Sequence, residues 1–175
     1  MARNGSREVD SGEVDQSTTR GDPPVRDATN ARIRPYRETD RDWLIAMYEA
    51  YDESHRTLGT PPGSHEEIVE WLDGLVAAGT NWVAIVDSTG VGHAVVVPIS
   101  ETRGELSVYV HPNHFDRGIG TELCSHAIEA AAGEYETLWL VVERSNSRAV
   151  SVFKKVGFEV ADYHRSDIEM VYEDV

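Results

Sequence analysis

Residues 106–110 read as a strand that breaks at His111-Pro112 and passes through Arg117-Gly118-Ile119-Gly120 into an amphipathic helix. That junction has the chemistry to hold a diphosphate. The first N–H groups of a helix have no carbonyl one turn earlier to bond, so they point outward, and two residues without Cβ let a bulky polyanion approach. Phosphate oxygens over the N–H groups of Arg117, Gly118, Ile119, Gly120 and Thr121 gain about 0.3–1 kcal/mol from the helix terminus and more from direct bonds. Asp116 is an opposing charge that costs about 1 kcal/mol in low salt, and Arg117 is the cation of the loop.

Single residues exclude two other glycine-loop chemistries. A P-loop needs Gly-Lys-Ser/Thr, whereas Gly120 is followed by Thr121-Glu122. A dinucleotide fingerprint wants a third glycine where Leu123 stands. On the strand before the loop, Glu105, Ser107 and Tyr109 share one face. Glu143 ends a later strand.

These residues need a scaffold. From residue 31 strands and helices alternate. Residues 33–36 begin a strand, and Thr39 is expected to cap a helix with Trp43, Leu44, Met47, Tyr48 and Tyr51 at helical spacing, stopping near Gly59 and Pro61-Pro62. Ser64 and Glu67 form a capping box for a second helix that buries Ile68, Trp71, Leu72 and Leu75. Residues 82–86 and 91–97 read as a hairpin around Asp87-Ser88-Thr89-Gly90, and Thr102-Arg103-Gly104 as the turn into residues 106–110. The helix after Gly118 places Ile119, Leu123, Ala127, Ile128 and Ala131 on one face and stops at Gly133. Residues 138–142 form a fully apolar run, hence a central strand. A helix over 146–156 ends at Gly157, and residues 158–160 and 168–172 close the sheet. The pattern is that of an α+β domain with a mixed central sheet.

Val108-Tyr109-Val110-His111-Pro112, then Arg117-Gly118-Ile119-Gly120, then Asn146, Ala149 and Val156-Gly157-Phe158 resemble, in order and spacing, the signature of the GNAT superfamily of acetyl-CoA-dependent N-acetyltransferases. The likeness covers residues 33–172. It implies a GNAT-like fold with about four helices around the sheet and acetyl-CoA as co-substrate; the residue spacing gives no reason to expect a metal. It also implies a pantetheine arm paired to the main chain of Val108, Tyr109 and Val110, with Asn146 on the same arm. For Asn146 alone, capping its own helix is the alternative. An oxyanion donor near Val110, and Glu105 as general base, follow from the same resemblance; Tyr109 and Glu143 are the other catalytic candidates.

The chain departs from the family pattern twice. Phe115 stands where Gln or Arg is usual, and it reads as a packing residue. Phe153 stands where many members carry a tyrosine that protonates the leaving thiolate. General acid catalysis is worth about 10²–10⁴ in rate, so its loss need not abolish turnover.

Other reactive side chains carry less. His111 and His114 do not reach a metal-ligand spacing with Cys124 or Asp116. His93 in an apolar strand reads as a hydrogen-bonded core histidine, Cys124 as a buried thiol, and Trp43, Trp71, Trp82 and Trp139 as core.

Composition bounds the rest. The chain has 175 residues, enough for one domain over 31–175. Residues 1–30 are poor in large apolar side chains and read as a disordered leader without a secretory apolar stretch. A net charge of −15, with two lysines against fourteen arginines, argues against nucleic acid. It points either to a source adapted to high salt, marked by stability that rises steeply into molar salt, or to an ordinary acidic cytosolic protein. One cysteine and no membrane-length apolar run point to the cytoplasm. The expected activity is direct acetyl transfer from acetyl-CoA to a primary amine on a small molecule or peptide, which enters over residues 51–62 near Asp52 and Glu53. A homodimer is compatible with this reading. A noncatalytic acyl-CoA-binding module and an interaction protein using the strand edge stand as alternatives.

Overall fold

The computed structural model of the protein describes residues 30–52, 61–173 and 175. The expected leader, apart from Asn30, and the segment with Glu53 and Gly59 lie outside the described residues. Seven strands form one sheet: β1 (Arg32–Pro35), β2 (Thr80–Val86), β3 (Thr89–Pro98), β4 (Arg103–Val110), β5 (Thr137–Glu143), β6 (Glu159–Tyr163) and β7 (Asp167–Glu173). Their order is β1-β2-β3-β4-β5-β7-β6, antiparallel except for the parallel pair β4–β5. Helices α1 (Arg41–Glu49) and α2 (His65–Ala78) follow β1, α3 (Ile119–Ala131) follows β4, and α4 (Ser147–Lys155) follows β5. The mixed sheet with four helices is the expected α+β architecture.

Alternation along the strands divides the core between two faces. On one face Trp82, Ala84, Ala94, Val96, Leu106, Leu138 and Leu140 pack with Leu123, Ala127 and Phe153 of α3 and α4. On the other Val83 and Tyr109 pack with Leu44, Tyr48, Ile68 and Leu72 of α1 and α2. Each large apolar side chain fully buried in this way contributes about 1.5–3 kcal/mol.

Several local expectations are corrected. Thr39 lies in a 3-10 turn, Glu38–Asp40, and Asp40 is the N-cap of α1. The Asp40 carboxylate accepts from both Arg34 guanidinium nitrogens at 2.6 Å and from the Arg37 N–H at 2.8 Å, and the Arg34 pair holds it below the usual carboxylate range. Asp40 is buried, and its charge is satisfied by these bonds and by the Trp43 indole N–H at 3.3 Å, which fixes the corner before α1. Helix α1 ends at Glu49, so Tyr51 lies beyond it. The Ser64–Glu67 capping box is present. The hairpin turns on two residues, Asp87 and Ser88, at φ 48° and 65°. Gly90 is a strand residue whose Cβ would lie 2.0 Å from the Trp43 ring, so it is kept bare by packing and not by a turn. Gly104, likewise in a strand, would meet Val96 at 2.7 Å. In β5 the burial alternates: Leu138, Leu140 and Val142 are buried, whereas Thr137, Trp139, Val141 and Glu143 are half-buried. Trp139 belongs to neither core; the Arg103 guanidinium lies 5.3 Å from its ring. The reason is coverage, since α1 and α2 pack over β2 and β3 and leave that face of β5 partly open.

A polar chain crosses the second core. Asn81 Nδ2 donates to the carbonyls of Gly79 (2.7 Å) and Leu75 (3.3 Å), which orients the amide and leaves Oδ1 as acceptor. His93 Nε2 donates to that Oδ1 at 2.9 Å, so Nδ1 carries no proton and accepts from the Tyr48 hydroxyl. His93 is fully buried, and burial pushes its pKa down to about 3. It is the satisfied core histidine the sequence suggests.

Candidate active site

Strands β4 and β5 pair only at their beginnings, Arg103↔Thr137, Gly104↔Leu138 and Glu105↔Trp139. Beyond that β4 stays with β3 as far as Val110 and β5 stays with β7 as far as Glu143, so the two neighbours diverge. The wedge between them opens a cleft of about 1030 Å³, large enough for a nucleotide-sized ligand. The starts of α3 and α4 face its mouth, since Gly118, Ile119, Gly120 and Thr121 line it together with Asn146, Ser147 and Arg148. Helix starts at the carboxyl ends of strands collect anions.

The glycines fit a bulky anion. Gly118, the N-cap of α3, takes φ 85°, in the left-handed region. A Cβ at Gly120 would stand 3.6 Å from Val110 Cγ2 and 4.0 Å from Val152 Cγ1, in the mouth itself. The first helical bond is from Glu122 N–H to the Gly118 carbonyl at 3.1 Å, so helix geometry provides the preceding N–H groups with no main-chain acceptor.

The structure brings most of the sequence-derived residues together. Glu105, Val108, Tyr109, Val110, Asp116, Gly118, Ile119, Gly120, Thr121 and Asn146 all line the cleft. Arg117 and Glu143 are not among the lining residues. Arg117 is exposed, and Glu143 accepts from the Ser145 hydroxyl at 2.5 Å. Burial raises the half-buried Glu105 carboxyl above its ordinary value and pushes the Tyr109 phenol up to about 12. Asn146 caps α4, accepting from Ala149 N–H at 3.1 Å, so lining the cleft and capping the helix coincide in one residue.

Two lining residues have contacts that the sequence reading did not anticipate. Arg148, in the first turn of α4, binds Asp116 at 2.9 Å and lies 4.4 Å from the centre of the Phe115 ring. The charge feared at Asp116 thus has a cation beside it, and Phe115 packs beneath that cation and against Tyr51, at 6.4 Å between ring centres. The only trace of Arg148 in the sequence was its place just after a helix cap; its partner is 32 residues away. The second is Tyr51, whose hydroxyl donates to the Val110 carbonyl at 2.6 Å and accepts from the Val110 N–H at 3.1 Å. The main-chain amide nominated as oxyanion donor therefore already has a partner. Cys124 is buried, with its thiol pushed up to about 12, and among the described residues no group of three or more His, Cys, Asp or Glu is placed to hold a metal. No helix among the described residues is long and apolar enough to cross a membrane.

Known proteins resemble this chain in sequence and in fold. Over 141 residues, 78% of this chain and 88% of the relative, the chain is 28% identical to the peptidyl-lysine N-acetyltransferase YjaB of Salmonella typhimurium. The fold superposes on YncA, a putative acetyltransferase of Salmonella typhimurium solved with acetyl-CoA, at TM-score 0.68 and 18% identity, covering 84% of this chain and 95% of that one. It also matches the PaiA N-acetyltransferase of Thermoplasma acidophilum, solved with coenzyme A, at TM-score 0.65 and 24% identity, covering 83% and 99%. Residues 44–158 match the model of the acetyltransferase (GNAT) family, and with the wedge between β4 and β5 and the glycine start of α3 in place, the chain belongs to that family of acyltransferases.

Proposed function

We propose that the protein transfers the acetyl group of acetyl-CoA to a primary amine by direct attack, without a covalent enzyme intermediate. The observation that carries this reading is the cleft between β4 and β5, which runs from the glycine start of α3 to Glu105. The N–H groups of Ile119, Gly120 and Thr121 hold the diphosphate, and Arg148 adds a cation at the mouth; the edge of β4 at Val108 pairs with the pantetheine arm as with another strand, and Val110 joins it once the arm displaces the Tyr51 hydroxyl from its N–H and carbonyl. Glu105 takes the proton of the attacking amine. Burial holds its carboxyl above the ordinary value, and Tyr109 shares its strand face. Glu143 has no place in this scheme. The name of the Salmonella relative makes a lysine side chain in a peptide the first acceptor to test. The catalytic domain begins at residue 31 and acts in the cytoplasm.

Incubating the protein with acetyl-CoA and a panel of amines and lysine peptides, at low and molar salt, and following free thiol tests the reading. Acceptor-dependent thiol release supports it. Phe153 favours a second reading, a noncatalytic acyl-CoA-binding module, which tight binding without thiol release would establish. Glu105→Gln is expected to lower kcat about 100-fold at neutral pH, to remove the acid limb of the rate profile and to leave acetyl-CoA affinity unchanged. An unaltered pH–rate profile in this variant would remove Glu105 from the mechanism.

A further inference from the structure

The hydroxyl of Tyr51 lies where a thioester laid against β4 must pass. His111 N–H donates to the Val91 carbonyl, so odd-numbered residues at this end of β4 turn their main-chain groups toward β3. Strand alternation then turns those of Val108 and Val110 toward the wedge. A chain-like ligand that pairs with β4 uses these groups, and the Tyr51 oxygen already bonds both of Val110's, at 2.6 Å and 3.1 Å. The hydroxyl is therefore in the plane of the sheet and in line with the ligand, not above or below it.

We propose that Tyr51 donates the proton to the departing thiolate in the acyl transfer, an assignment that rests on the reaction proposed above. The amine nitrogen bonds to the thioester carbonyl carbon and its proton passes to Glu105. The carbon–sulfur bond then breaks, and sulfur leaves with the bonding pair and takes the Tyr51 proton. The proton held by Glu105 returns through solvent to the phenolate, so amide and free thiol are the sole products.

Burial raises the Tyr51 phenol above its ordinary value, so the hydroxyl carries its proton at neutral pH. Several other donors of the cleft are placed or occupied elsewhere: Ser107 bonds the Tyr109 hydroxyl, His114 lies in the loop before α3, and Ser151 and Lys155 lie farther along α4. Tyr109 is wedged edge-on against Tyr48 and Trp71, with ring centres at 5.5 and 5.2 Å. Ser145 donates to Glu143. Cys124 is wholly buried, and Thr121, Ser147 and Arg148 stand at the helix starts. Phe153 packs on Phe158 and carries no proton.

Tyr51→Phe keeps the ring on Phe115 and removes only the hydroxyl. Its kcat is expected to fall about 100-fold, with acetyl-CoA affinity by calorimetry within about threefold of the parent. Phe153→Tyr, which restores a phenol to the same cleft, is expected to recover at least about tenfold of that loss in the Tyr51→Phe background and to change the parent rate less than about threefold. A Tyr51→Phe variant that turns over like the parent, or a double variant without recovery, overturns the assignment. So does a Phe153→Tyr rise of about tenfold or more in the parent, which needs no Tyr51 variant to fold and would mean that the parent site lacks an acid. A parent that binds acetyl-CoA but releases no thiol with any amine instead overturns the reaction itself.

Discussion

Gly120→Val is expected to weaken acetyl-CoA binding about 100-fold, or about 2.7 kcal/mol, by isothermal titration, while the urea unfolding midpoint stays close to the parent value. The two halves of this expectation have separate causes. A Cβ at Gly120 meets nothing nearer than 3.6 Å, so the fold accepts the first carbon, and in a helix valine is no worse than glycine. The branched carbons, however, project into the mouth between Val110 and Val152, where the diphosphate must reach the N–H groups of α3. Gly118 offers a poorer test. Its φ of 85° strains any residue with a Cβ by about 1–2 kcal/mol, and lost binding there would mix with lost stability. Undiminished binding in Gly120→Val would place the diphosphate away from the start of α3.

Acidification is expected to destabilise the fold well before the carboxylates titrate. His93 binds a proton only near pH 3 in the folded protein but near its ordinary 6.5 when unfolded. Between those values the unfolded chain holds more protons, so stability is complete above pH 6.5 and declines as pH falls toward 3. The slope approaches about 1.4 kcal/mol per pH unit, which makes about 2 kcal/mol between pH 7 and pH 5. Burial lowers His111 and His114 as well, and they contribute in the same direction. The Asp40–Arg34 pair adds its own loss at lower pH, because that carboxylate is held below its ordinary value. His93→Gln isolates the buried ring, since glutamine can keep a donor toward Asn81 and an acceptor toward Tyr48 without titrating. Urea titrations at pH 7 and pH 5 should show a clearly smaller acid loss in this variant. An equal loss in both proteins would put the sensitivity outside the buried chain Tyr48–His93–Asn81.

Local chemistry wrote much of this protein where it can be read directly. Ser64 and Glu67 cap a helix because both partners of the box lie within one turn. The glycine pair at 118 and 120 marks a strand-to-helix junction because left-handed backbone and close approach are properties of single residues. Asn146 reads as a helix cap for the same reason, and the order of strands and helices follows from their periodicities. Where the expectations missed, a distant neighbour decided. Gly90 looked like a turn glycine and is instead the seat of the Trp43 ring; Trp139 looked like core and lies on a sheet face that α1 and α2 do not reach.

The site divides in the same way. Its anion-holding end and the Glu105–Ser107–Tyr109 face are set by spacing along one strand and one loop, and so are properties of the chain's own order. The divergence of β4 from β5 after Glu105, the Arg148–Asp116 pair across 32 residues and the Tyr51–Val110 contact across 59 are not. Each depends on where separate elements come to rest. Sequence spacing carries the chemistry of a segment, but contacts between segments exist only once the hydrophobic faces of helices and sheet have packed and set the distances.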